Sequence, residues 1–252
     1  MMKWIAASVV ALACVSGARS QTVLHVAAAA DLEPVLPPIL SSFQHATGIR
    51  VVATYQASAT LTAQIENGAP FDLFLSADMG YPRRLVDAAI AEPASLATYA
   101  RGTLVLWRRK DSSLPPLSIP LFRDPALKRL AIADPDRAPY GRAAVAALTR
   151  LHVYDQLKPR IVTAENVAQA AQFVESGNAQ AGLISLTLAL TPQLKSSGEY
   201  WIMPRGLYPP IEQGVVVIRR TKQQAAAQQL LNYLLASDAQ AQFAKSGLTP
   251  VR

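Results

Sequence analysis

The chain has 252 residues, 51% hydrophobic and 16% charged. That balance permits a buried core and excludes a disordered tail, and the length fits one large domain or two small ones. The net charge is +7 with the basic residues scattered, RRK (108–110) and RR (219–220) being the densest points. A nucleic-acid binder gathers Lys and Arg on one face with aromatics between them, so no nucleic-acid partner is expected.

The first twenty residues, MMKWIAASVVALACVSGARS, start basic at Lys3, continue apolar from Ile5 to Val15 and end with Ala18 and Ser20 in an A-x-S pattern. They read as an export signal, residues 1–20, with a mature start at Gln21. Loss of Lys3 and Arg19 leaves +5 on the mature chain. The apolar stretch is too short for a permanent span, and no later segment approaches the roughly 20 apolar residues a membrane helix needs. Cys14 is the one cysteine and lies inside this signal, so no disulfide or thiolate metal site is expected in the mature chain. An alternative makes Cys14 a lipid-modified first residue, since ALAC is close to a lipobox, although leucine is usual where Ala11 stands.

Short apolar runs of strand type follow in order: 22–29, 50–55, 71–77, 103–109, 129–134, 181–185 and 214–220. Between them apolar residues recur at helix spacing: Leu36, Ile39, Leu40 and Phe43; Val145, Leu148 and Leu151; Val167, Ala170, Ala171 and Val174. Strands that alternate with helices predict an α/β fold of parallel sheets covered by helices on both faces. No 20–50-residue repeat and no low-complexity tract occurs. The Pro-rich segment 111–120 and LYPP (207–210) roughly bracket a middle portion. The expected organisation is bilobal, with residues 21–102 plus 215–252 in one lobe, 103–214 in the other, and a cleft between.

Ligands of open α/β sheets gather at the carboxyl ends of strands, where the first helical amides are unsatisfied. Four such junctions share a small or hydroxylated character: AAAAD (27–31), ASATL (57–61), APYGRAA (138–144) and AENVAQAA (164–171). Two readings fit: small side chains let an anion approach the main chain, or alanines simply let a helix pack tightly on a sheet. Asp72 and Asp78 flank the FDLFLSAD strand (71–78) and are expected to tie loops and cap a helix.

The stretch ASATLTAQIENGAPFDLFLSAD (57–78), with AAAADL (27–32) and IADPDRAPYGRAAVAAL (132–148), resembles the periplasmic molybdate-binding proteins of ABC transporters. The likeness runs from about residue 22 to the closing SGLTPVR. It implies a type II periplasmic binding fold, two α/β lobes closing on a tetrahedral oxyanion. It also implies the ligand positions: Ala30 and Asp31 at the first helix start, Ser58 at the second, the main-chain amides of Tyr140 and Val167, and Ser185 where relatives often carry a tyrosine. Many relatives have serine where Asp31 stands. A carboxylate pointed at an oxyanion is costly when desolvated, so Asp31 is expected to cap its helix instead.

The expected function is capture of molybdate, and of tungstate as a near-identical dianion, for delivery to an ABC transporter permease in the inner membrane. The protein is expected in the periplasm, as a monomer, without a cofactor. Its metal would be held only as the oxyanion, with no direct metal-ion ligands. The rival is another tetrahedral oxyanion, phosphate or sulfate; phosphate keeps a proton at neutral pH and would use Asp31 as an acceptor. An enzyme is not expected: His25, His45 and His152 stand singly, and neither a G-x-S-x-G elbow nor a P-loop occurs.

Overall fold

The structure is a computed structural model that describes residues 22–251. The expected export signal and Cys14 lie outside the described residues. β1 (Val23–Ala29) passes through one 3-10 turn (Ala30–Leu32) into α1 (Leu36–Thr47). Prolines in the first turn of α1 suit its entry, and Gly48 at φ 73° ends it in the left-handed conformation that glycine adopts without strain. β2 (Arg50–Gln56), α2 (Ser58–Glu66), β3 (Leu73–Ser76), α3 (Gly80–Asp87) and β4 (Ala97–Gly102) follow.

The chain then crosses into a second sheet with β5 (Leu104–Arg109), β6 (Leu130–Ala133), α4 (Pro139–Arg150), α5 (Tyr154–Leu157), β7 (Ile161–Ala164), α6 (Val167–Glu175), β8 (Ala181–Ser185), α7 (Leu186–Ala189), α8 (Pro192–Ser197) and β9 (Gly198–Ile202). It returns to the first sheet as β10 (Ile211–Val217) and closes with α9 (Gln224–Leu235), α10 (Ser237–Lys245) and β11 (Thr249–Pro250).

Among the described residues the first sheet has the order β11-β4-β10-β3-β1-β2 and the second β7-β6-β8-β5-β9. Both are mixed, which corrects the expectation of purely parallel sheets. β1 runs parallel to β2 and β3, while β10 is antiparallel to β3 and β4. β6 runs parallel to β7 and β8, while β5 is antiparallel to β8 and β9. The reversed strands are the two by which the chain enters a lobe, β5 and β10, and each arrives without the helical crossover that a parallel neighbour needs.

The seven apolar runs correspond to β1, β2, β3, β5, β6, β8 and β10. The strands without such a run are β4, β7, β9 and β11, and β4 and β9 carry Arg101, Glu199 and Tyr200 on exposed or edge positions. Leu24, Val26, Leu73 and Leu75 are fully buried under α1 and α9, and Leu104, Leu106, Ile132 and Leu183 are buried in the second lobe. Each such side chain contributes about 1.5–3 kcal/mol. The consequence for function is directional: β1, β2, β6 and β7 run so that their carboxyl ends all lead toward the seam between the lobes.

Candidate functional site

Three of the helix starts at that seam begin on alanine. Ala29, Ala57 and Ala138 are the N-cap residues of the 3-10 turn, α2 and α4, and none of them offers a side-chain cap. An alanine cap costs about 1 kcal/mol relative to Ser or Asp because it leaves the first amides without an acceptor. Here those amides converge. Ala30, Asp31, Ser58, Tyr140 and Val167 all line one narrow cavity, with Gln56, Ala77 and Asn166 beside them.

The space left free in the cavity is about 10 Å³, no more than one water needs, so a polyatomic anion enters only as the lobes part. Larger depressions of about 270 Å³ beside Arg101 and Arg205 and about 390 Å³ beside His25 and Arg220 lie elsewhere; neither collects helix-start amides.

The N–H groups of Ser58, Tyr140 and Val167 have no acceptor among the described residues, nor has that of Asp31 in any other residue. Asn166 caps α6 through its side chain, accepting from the Gln169 N–H at 3.0 Å, which leaves the Val167 amide free. The Ser58 hydroxyl, itself buried, accepts the Ala77 N–H at 3.1 Å, so its own proton remains available to a ligand. No lysine or arginine lines the cavity. Neutral donors and the positive ends of helices are what it offers, and these suit an anion.

Asp31 departs from the expectation. It is not a helix cap: the N-cap positions are Ala29 and Val35 and neither helix start receives an Asp31 side-chain bond. Its carboxylate turns inward, where Oδ2 accepts from Gln213 Nε2 at 2.5 Å and from the Tyr140 hydroxyl at 3.1 Å. Oδ1 has no partner. The residue is fully buried, and burial pushes its carboxyl up to about 6 against the opposing pull of the Gln213, Tyr140 and own main-chain hydrogen bonds. Tyr99 donates to Gln213 Oε1 at 2.6 Å and so fixes which end of the amide faces Asp31.

Ser185 does not line the cavity. It caps α7 and shares a 2.8 Å hydrogen bond with the Thr187 hydroxyl, which donates to the Asp31 carbonyl at 2.8 Å. The neighbouring hydroxyl occupies it and holds the first helix start in place. Sequence reasoning missed Gln213, Tyr99 and Thr187, because a single polar residue inside an apolar strand or turn carries no periodic signal.

The two lobes meet through several of these groups. Besides Tyr140 with Asp31, the Ala59 N–H donates to the Arg137 carbonyl at 3.1 Å, and Arg142 reaches Asp78 and, at 3.2 Å, the Tyr81 hydroxyl. Asp78 also accepts the Tyr81 N–H at 3.1 Å, and Asp72 accepts the His25 N–H at 2.7 Å and the Thr221 hydroxyl. Asp72 thus ties loops as expected, while Asp78 reaches the first turn of α3 from the residue before its N-cap, Met79, and adds an interlobe contact. Among the described residues no three His, Cys, Asp or Glu side chains gather to hold a metal ion.

The sequence model of the family described as bacterial extracellular solute-binding protein matches residues 24–249. The molybdate-binding protein ModA of Azotobacter vinelandii is 37% identical over 223 residues, 88% of this chain and 87% of that protein. Its namesake in Rhodobacter capsulatus is 36% identical over 237 residues, 92% of each chain. The solved structure of the Azotobacter vinelandii periplasmic molybdate-binding protein superposes with a TM-score of 0.86 at 33% identity, covering 91% of this chain and all of that one. On its sequence, its two mixed-sheet lobes and the cleft they enclose, this chain belongs to the bacterial extracellular solute-binding proteins, alongside these molybdate-binding relatives.

Proposed function

We propose that this protein captures molybdate, and tungstate by the same contacts, in the cavity between its lobes and delivers it to the permease of an ABC transporter. The observation that carries the reading is the convergence of unsatisfied amides from helix starts of both lobes, with the Ser58 hydroxyl, on one cavity without a lysine or arginine. Ala30, Asp31, Ser58, Tyr140 and Val167 are its ligand-binding positions; Ser185 acts at one remove, through Thr187 and the Asp31 carbonyl. The relatives from Azotobacter vinelandii and Rhodobacter capsulatus are named for the same ligand.

The lobes correspond to residues 21–102 plus 215–252 and to 103–214, and sheet membership favours moving the return crossing to Ile211, where β10 begins. An anion touching both lobes stabilises the closed form, and the permease reads that form. The protein works as a periplasmic monomer that binds and does not catalyse. No helix among the described residues is long and apolar enough to cross a membrane.

Titration calorimetry of the mature protein with molybdate, tungstate, sulfate and phosphate tests the reading. Molybdate and tungstate are expected to bind tightly and alike, and to raise the melting temperature, with about 2.7 kcal/mol of added stability at a hundredfold excess over Kd. A melting temperature unmoved by millimolar molybdate refutes it.

A further inference from the structure

The charge balance of the cavity is unfinished. A dianion enters a buried space whose own ionisable carboxyl is Asp31 and whose lining holds no cation. Were Asp31 ionised, three negative charges would share that space, a cost of several kcal/mol without cationic partners. The hydrogen-bond network dictates where relief can come from. Tyr99 must donate to Gln213 Oε1, which accepts only, so Gln213 presents Nε2 to Asp31. Oδ2 therefore faces two donors, Nε2 and the Tyr140 hydroxyl, and acts as an acceptor. Oδ1, buried and without a partner in any other residue, is the oxygen left for a proton.

We propose that Asp31 is protonated on Oδ1 in the anion-bound state, so that the site takes up one proton from solvent with each dianion. This deepens the oxyanion reading above and rests on it. The proton removes the one negative charge that the protein itself holds behind the cavity. Burial alone already carries the carboxyl up toward neutrality, and an incoming dianion raises it further.

No other group facing Asp31 titrates in the same window. From α4 it meets Tyr140 and from β4 Tyr99, both phenols pushed well up by burial and by the Asp31 charge; β10 brings the neutral Gln213. α6 and α7 bring Val167 and Thr187, and β2 ends in Gln56, with Tyr55 before it raised to about 12. Glu33 and Glu165 are exposed, and the nearest arginines, Arg137 and Arg142, are paired with Asp134 and Asp78.

The experiment is calorimetric titration of the mature wild type and of Asp31→Asn with molybdate at pH 6, 7 and 8, in pairs of buffers that differ in ionisation enthalpy. The wild type is expected to take up close to one proton per molybdate at pH 8, with Kd rising about tenfold per pH unit above the carboxyl's titration. Asp31→Asn, neutral as the protonated acid is, is expected to show no uptake, a Kd flat with pH, and tighter binding than wild type at pH 8. Wild-type binding with a flat Kd and no proton uptake overturns the proposal while leaving the oxyanion reading intact, and it does so without recourse to the variant. Phosphate binding by wild type that Asp31→Asn abolishes also overturns it, since Asp31 would then be an ionised acceptor. Absence of any binding of molybdate or tungstate overturns the underlying reading, and this proposal with it.

Discussion

Tyr140 and Asp31 are hydrogen-bonded at 3.1 Å across the seam between the lobes although 109 positions separate them in the chain. Tyr140 rides on the second residue of α4 in one lobe, and Asp31 sits where β1 ends in the other. The same helix start thus presents an amide to the cavity and a hydroxyl to the opposite lobe, which couples ligand contact to lobe contact.

Tyr140→Phe keeps the buried ring and removes that coupling. The loss of a hydrogen bond to a buried acidic group is expected to cost about 1–3 kcal/mol of stability at pH 7. It should also move the Asp31 carboxyl further up, since the Tyr140 bond holds it down. Urea unfolding at several pH values measures both; a curve that superposes on wild type would remove Tyr140 from the latch.

Ser58→Ala deletes a ligand donor and also strips the Ala77 N–H of its acceptor. Molybdate affinity is expected to fall by roughly 1.5–3 kcal/mol, the range for a hydrogen bond to a charged group, and stability by about 1 kcal/mol. Calorimetry alongside thermal unfolding separates the two effects. Unchanged affinity in the folded variant excludes the hydroxyl from the site.

Gly102 ends β4 where the chain leaves the first lobe, and a Cβ there would collide with the Tyr140 hydroxyl. Gly102→Ala is expected to push the lobes apart, weakening molybdate binding at least tenfold and enlarging the molecule in small-angle scattering. Adding Tyr140→Phe should restore part of the affinity, because the nearest colliding atom is then gone. Equal effects with and without the hydroxyl would refute this account.

The ligand-free protein has a pH signature set by Asp31. Its carboxyl goes from 3.8 to about 6 on folding, so the native state binds the extra proton and the contribution of Asp31 to stability is greatest below 3.8. That contribution is lost as pH rises through the interval, reaching a deficit of about 3 kcal/mol above it. Asp31→Asn lacks the deficit. Its unfolding free energy should exceed that of wild type at pH 8 by up to that amount and converge with it near pH 4. A constant difference across the range would show that Asp31 is not the titrating group.

The sequence by itself determined the strand and helix alternation, since the core strands are apolar on both faces and helices such as α1 and α6 repeat their buried residues at 3.6-residue spacing. It also marked the helix starts, because the alanines at 29, 57 and 138 can be read as positions that leave amides uncapped. Composition left the direction of β5 and β10 undetermined, for an antiparallel strand at a crossing carries no residue pattern that distinguishes it from a parallel one. Asp31 was legible as an acidic residue at a turn, and local chemistry favoured a cap. The tertiary structure decided otherwise: Gln213 and Tyr140, brought from 182 and 109 positions away, supply better-placed donors than the amides of its own helix, and full burial alters its proton affinity. Side-chain hydrogen bonds at such separation follow only from how two lobes fold onto one another, and no local pattern in the chain encodes them.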